Sequence, residues 1–450
     1  MTKTIGSIVL AIVTLTPIAW AQDISGTIIG GAMPTIAIPD FRGAGDAAKY
    51  MNTFNQTLFS DIQDSGLFKM AGKSFYPLVT PQQPTDFQQP GPVAPAGRRA
   101  PWLTDWSSPP VSAKYLAFGY AATQNNQIVL SGWLFDVEQA NVTSAQVIGN
   151  RYFGPVDENG ARKVAHEFAA DIIAKFGLQS LLGSHIYFVS DRSGHKEIWS
   201  MDYDGNNQKQ VTRYNNTCIT PSVSPDGSKL AFTTFATGNP SIFVFSLETG
   251  RKLLFYNQKV SLNTTPNFTP DGKKILYASS ANGYTNIFEA DLDGSHLQRI
   301  SNTRKIEAEP KVNPKTGADI VFVSGRSGPE QIWKMSRDGT NLEMLTGGEG
   351  DAANPSWHPN GQIIAFAWTK GFEPGNWNIF LMDVASKKYD QLTHGAGRNE
   401  NPNWGPDGRH LVFSSNRSGG KMQIFTMLAD GTRVQQLTSQ GRNEMPVWGK

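Results

Sequence analysis

The stretch PSVSPDGSKLAF at residues 221–232 returns as PNFTPDGKKILY at 266–277, and this repetition decides the fold. A looser copy, PKVNPKTGADIVF at 310–322, carries one extra residue in its turn. PSWHPNGQIIAF at 355–366 and PNWGPDGRHLVF at 402–413 follow. The opening prolines stand 44 to 47 residues apart, which is the spacing of β-propeller blades. In each copy the apolar residue two places after the first proline ends an inner strand. Pro-Asp-Gly then turns the chain: Pro presets φ, Asp bonds the local backbone, and Gly accepts a positive φ. The Leu-Ala-Phe-like run opens a second strand, and a third follows, as at Gln331 to Trp333 and Gln423 to Phe425. A further Asp-Gly turn recurs at 204–205, 293–294, 338–339 and 430–431. A short fourth strand such as Leu437-Thr438 completes the unit.

The count closes on itself. The unit at 185–212 has its second, third and fourth strands but lacks the inner one, and Pro446-Val447-Trp448-Gly449 supplies it. Six blades are therefore predicted. Trp448 is expected beside Ile186, Tyr187 and Phe188, where it joins the first and last blades and leaves no long open edge.

Upstream of the repeats the pattern is mixed α/β. Thr35 to Pro39 reads as a strand. Met51, Phe54, Leu58 and Ile62 recur at helical spacing up to Gly66. Leu116–Phe118 and Ile128–Phe135 read as strands around Gln124-Asn125-Asn126. Val164, Phe168, Ile172 and Phe176 mark a second helix ending at Gly177. Between Pro77 and Pro110 lies a Pro- and Gln-rich stretch that reads as an extended surface loop. The expected fold is an α/β N-terminal domain, residues 22–177, followed by an all-β six-bladed β-propeller over 178–450. Before them, residues 1–21 read as a signal peptide. Lys3 gives the positive start, Ile5 to Ile18 the apolar run, and Ala19-Trp20-Ala21 the small-residue cleavage pattern.

Composition narrows the function. Charged residues make up only 17% and the formal net charge is +2, a balance that suits neither a nucleic-acid binder nor an acidic disordered chain. Cys218 is the only cysteine, so no internal disulfide is available, and the residue reads as a buried small hydrophobe. Gly43 to Ala48 lacks the acidic residue and the repeated βαβ units of a dinucleotide site. His166-Glu167 lacks the second histidine of a zinc-protease helix, because position 170 is alanine; a solvated helix face is the expectation there. Gly325 to Gly328 is one residue short of a serine-hydrolase elbow.

Loops just before the inner strands hold Glu307, Glu309, Asp351, Asn354, Arg398, Glu400, Arg442 and Glu444, and loops between second and third strands add Arg192, Arg326 and Arg417. Strand alternation sends all of them to one end of the barrel. Mixed charges and amides around a concave mouth suit recognition of a protein surface. The competing reading is a metal-dependent lactonase- or esterase-like propeller hydrolase working through channel carboxylates.

The domain order, Ser65-Gly66-Leu67-Phe68 after the first helix, Ala165-His166 through Asp171-Ile172, and Met201-Asp202-Tyr203-Asp204-Gly205 together resemble the TolB family of the Tol–Pal envelope system. The resemblance covers nearly all of the chain beyond residue 21. It implies a non-enzymatic, monomeric periplasmic scaffold with no cofactor, metal or nucleic acid, touching membranes only through partners. Those partners would be a Pal-like peptidoglycan-associated lipoprotein at the propeller mouth and a TolA-like inner-membrane protein at the N-terminal region. The implied role is envelope integrity and outer-membrane constriction during cell division.

Overall fold

A computed structural model describes residues 33–90, 100–371 and 375–449. The leader at 1–21 and part of the Pro-rich stretch lie outside these residues. The N-terminal sheet contains β1 (Thr35–Ala37), β2 (Arg42–Ala44), β3 (Lys69–Met70), β4 (Tyr115–Gln124), β5 (Gln127–Asp136) and β6 (Gln146–Pro155), in the order β3-β1-β4-β5-β6 with β2 also on β4. Helices α1 (Met51–Asp64) and α2 (Glu158–Lys175) cover one face. Their apolar positions Phe54, Leu58, Ile62, Val164, Phe168 and Ile172 are all buried in one core. Gly132 lets the Phe168 ring lie on the sheet, since a Cβ there would stand 3.2 Å from the ring. Asp157 Oδ1 accepts from the Gly160 N–H at 2.7 Å and fixes where α2 begins.

The Pro- and Gln-rich stretch is more than a surface loop. Phe87, Leu103 and Trp106 fold back over the other face of the sheet and bury against Phe118 and Phe135. Composition alone therefore misrepresents the described part of this segment.

Six four-stranded antiparallel sheets follow. Five are continuous in sequence, with inner strands at Cys218–Val223, Asn263–Phe268, Glu307–Val312, Ala352–Trp357 and Asn399–Trp404. The sixth is built from both ends of the repeat region: Asn443–Gly449 pairs with His185–Ser190, placing Trp448 opposite Ile186. Trp448 buries among Phe188, Met201, Val412 and Ile424, and its indole N–H donates to Ser184 Oγ at 2.9 Å. The turns form for the reasons their sequence predicts. In the first repeat, Asp226 Oδ1 accepts from the Ser228 N–H at 3.0 Å and from Ser224 Oγ at 2.5 Å, while Gly227 takes φ +72°.

One feature of the blades is absent from the sequence reading. The residue before each inner-strand proline adopts a left-handed conformation: Thr220, Thr265, Glu309, Asn354, Asn401 and Met445 have φ between +51° and +56°. Every inner strand shifts register there. Proline cannot donate to the ladder, so the chain bulges around it, and the bulge aims successive backbone groups at neighbouring blades. The Glu309 N–H donates to Thr265 Oγ1, Asn354 to Glu309 Oε2, and Asn401 to Asn354 Oδ1, at 3.1, 2.7 and 3.2 Å. The Met445 N–H, in the composite blade, donates instead to Ser414 Oγ of the preceding blade.

The N-terminal unit sits on the end of the propeller that carries the strand-one-to-two turns. Two histidines fasten it. His166 of α2 donates through Nδ1 to Asp61 Oδ2 of α1 at 2.6 Å, and its Nε2 lies 3.4 Å from Asp204 of the propeller. The Tyr203 hydroxyl donates to Asp61 Oδ1 at 3.1 Å. His166 is thus not a solvated helix residue: only 12% of its side chain is exposed. Burial alone would push the imidazole down, but its bonds to Asp204 and Asp61 hold it up at about 10. His410, from the propeller, bonds Asp407 at 2.6 Å and donates its other N–H to the Asp64 carbonyl at the end of α1, 2.9 Å away. A cation is favoured at that helix end.

Gly66, at φ +62°, ends α1 in the same seam, and a Cβ there would stand 2.6 Å from Leu428 Cδ1. Gly66→Ala is expected to lower stability by about 1–3 kcal/mol, from left-handed strain plus displacement of Leu428. Urea unfolding with and without Leu428→Ala separates the two contributions. An unchanged midpoint in Gly66→Ala would show that this turn tolerates a side chain.

Candidate functional site at the propeller mouth

Because strands alternate in direction, the loops before the inner strands and between the second and third strands all open on the end opposite the N-terminal unit. The residues singled out from sequence fall at that end into three groups, although Glu307, Glu309, Asn354, Glu400 and Glu444 lie within the inner strands themselves and not in the loops before them.

Arg192, Arg326, Arg417 and Glu307 brace the blades. Arg192 donates to Ser190, Gln208 and Asn443 at 2.9, 2.6 and 2.9 Å and stacks 4.7 Å over Trp199. Arg417 repeats this one blade earlier, donating to Asn399 Oδ1 at 2.7 Å over the Phe413 ring. Arg326 donates to Glu307 Oε1 at 2.6 Å, and Glu307 is wholly buried. Burial pushes the Arg192 and Arg417 guanidiniums down. Their hydrogen bonds tie loop to strand, so little of these three cations is left for a partner.

The second group forms the rim. Arg398 pairs with Glu400 at 2.6 Å, and Arg442 with Glu444 at 2.8 Å. Glu444 also pairs with Lys196. Burial raises the Glu444 carboxyl, but the bonds from Lys196 and Arg442 outweigh it and hold the group low. About half of each of the Arg398 and Arg442 side chains remains exposed. Asp351 is exposed beside them and accepts from the Glu330 N–H at 3.1 Å.

Glu309 and Asn354 make up the third group, on the channel wall. With Thr220, Thr265, Lys311 and Asn401 they line a cavity of about 100 Å³ on the propeller axis. Burial pushes the Glu309 carboxyl up and the Lys311 ammonium down. Sequence reading missed Thr220, Thr265, Lys311 and Asn401. Their signal was available: each lies one residue before, or one after, a repeat proline. Among the described residues no group of three His, Cys, Asp or Glu side chains is placed to hold a metal ion. Cys218 is buried and its thiol is pushed up to about 12, chiefly by burial, so it is chemically quiet.

What the site offers is a rigid ring with polar groups facing the axis and paired charges at the rim. Such a surface can hold polar and charged groups of a ligand by hydrogen bonds.

The comparisons with known proteins agree with this architecture. The TolB β-propeller domain family matches residues 176–372 and 348–450. A TolB homolog of Chlorobium chlorochromatii is 37% identical over 142 residues, 31% of each chain. A Tol-Pal system protein TolB of Methylobacillus flagellatus is 29% identical over 236 residues, 52% of this chain and 49% of that one. The first curated relatives are thus matched over about a third of their own length. The crystal structure of TolB from Acinetobacter baumannii superposes with a TM-score of 0.75 at 23% identity, covering 93% of this chain and 97% of that one; at that identity the likeness concerns the fold. With the family match spanning more than half of its length, the chain belongs to the TolB β-propeller domain family.

Proposed function

We propose that this protein is a non-enzymatic scaffold of a Tol–Pal envelope system, exported to the periplasm after cleavage near Ala21. In this reading it has two units meeting near residue 177. The propeller mouth binds a peptidoglycan-associated lipoprotein, and the N-terminal region engages a TolA-like inner-membrane protein, in support of envelope integrity and constriction at division. The observation that carries the reading is the rim. The half-exposed side chains of Arg398 and Arg442, each paired to a more deeply set glutamate, stand on the end left free by the N-terminal unit, around an axis lined with polar groups. Among the described residues no helix is long and apolar enough to cross a membrane.

The test is affinity capture from detergent-solubilised envelope with the full chain as bait. Capture of a peptidoglycan-associated lipoprotein is expected, with recovery falling roughly tenfold or more for Arg398→Glu combined with Arg442→Glu. Failure to enrich that lipoprotein, or equal recovery by the variant, would overturn the assignment.

A further inference from the structure

On the opposite end, the seam between the two units encloses a cavity of about 240 Å³ that the proposed partner binding does not use. This is below the ~300–1,000 Å³ typical of sites for drug-sized ligands, so an occupant would be small. Its walls differ in character. Ala169, Ala170 and Ile173 of α2 and Leu181 give an apolar side. Across from them lie two charged groups whose bonding is incomplete.

The first is Arg409, which is 7% exposed and lines the cavity. Its guanidinium donates no hydrogen bond and has no carboxylate within 4 Å among the described residues; Asp407 and Asp430 act on it only at longer range. It lies over the end of α1, with Nη2 3.4 Å from the place a Gly66 Cβ would take. The Asp64 carbonyl at that helix end is already used by His410. Burial pushes this guanidinium down. The second group is the Asp64 carboxylate. It accepts one hydrogen bond, from Ser60 Oγ at 2.8 Å, and the residue lines the same cavity. Burial pushes this carboxyl up, against the pull of Ser60, His410 and Arg433.

A lone anion beside Arg409 would also meet Asp407 and Asp430. A lone cation beside Asp64 would meet His410 and Arg433. A molecule carrying both charges meets each with its opposite. We propose that the seam cavity binds a small zwitterion of the α-amino-acid or dipeptide class, its carboxylate on Arg409, its ammonium on Asp64 and its side chain against Ile173 and Leu181. Such a ligand would bridge α1 and the propeller and tighten the seam.

Titration calorimetry on the full chain tests this with leucine and alanyl-leucine as probes and N-acetyl-leucine and leucinamide as charge-blocked controls. Saturable binding of leucine or alanyl-leucine is expected, and which of the two binds tighter distinguishes a free amino acid from a peptide. Each blocked form should bind roughly tenfold or more weakly, and Arg409→Gln and Asp64→Asn should each weaken the zwitterion about 10–100-fold, the effect of losing one charged hydrogen bond. Far-UV circular dichroism checks that the variants fold; should Arg409→Gln not fold, Asp64→Asn and the blocked ligands decide. No saturable heat with either probe up to ~10 mM, a limit about tenfold above a millimolar Kd, would overturn the proposal. So would binding that Asp64→Asn and both blocking groups leave unchanged.

Discussion

A chain ending at Arg442 is expected to lose its folded propeller and to aggregate. Residues 443–449 supply the inner strand of the composite blade, and their removal exposes the edge of His185–Ser190. The same deletion takes away Trp448, whose side chain bridges Ile186 and Phe188 of its own blade and Val412 and Ile424 of the neighbouring one. It also breaks the Trp448 N–H bond to Asn403 and the indole bond to Ser184. Two unpaired blade faces and an open strand edge favour self-association. Trp448→Ala isolates the packing part. It should cost about 3–5 kcal/mol, or roughly 5–9 °C in Tm with an unfolding entropy of about 2.1 cal/mol/K per residue over the propeller. Calorimetry of both variants checks this, and a truncated chain that melts with the wild type would show that closure does not run through this strand.

The second large effect concerns pH and the seam. His166 titrates at about 10 in the folded protein against an ordinary value of ~6.5. Because the folded value is raised, the stabilisation is complete below about pH 6.5 and is lost as pH climbs toward 10. A displacement of this size sets an upper bound of about 5 kcal/mol. Part of it is offset because burial raises the Asp61 carboxyl despite the bond from His166. A net fall of about 2–4 kcal/mol between pH 6.5 and 10 is expected. His166→Ala should cost about 3–5 kcal/mol at pH 6.5, since Asp61 is then buried without its cation. It should also flatten the profile over that window. Urea unfolding at pH 6.5, 8 and 9.5 measures both. A wild-type profile without slope would contradict the charged pair.

The propeller was legible because its signals are local. Pro-Asp-Gly fixes a turn wherever it occurs, and the half-repeats at residues 185 and 446 can be complementary only in a closed ring. The left-handed residues before the prolines were hidden for the opposite reason. Thr, Glu and Met have no intrinsic preference for positive φ, and Glu309 and Met445 adopt it because neighbouring blades accept the backbone groups so exposed.

The seam was hidden in a different way. His166, Ala169, Ala170 and Ile173 form a second inward face of α2, but two alanines and a histidine scarcely register as hydrophobic periodicity beside Val164, Phe168 and Ile172. At the mouth, strand alternation placed the arginines on the right end, while their roles depended on partners distant in sequence: Arg192 finds Asn443 across the closure. Position followed from topology, but exposure depended on packing.

The most direct measurement is titration calorimetry of the full chain against the soluble peptidoglycan-binding portion of the envelope lipoprotein from the same organism. The expected result is a one-to-one complex, weakened roughly tenfold or more by Arg398→Glu with Arg442→Glu and unaffected by Asp64→Asn in the opposite seam. No binding by a chain with intact blades, or equal weakening by both sets of substitutions, would contradict a scaffold that binds through its propeller mouth.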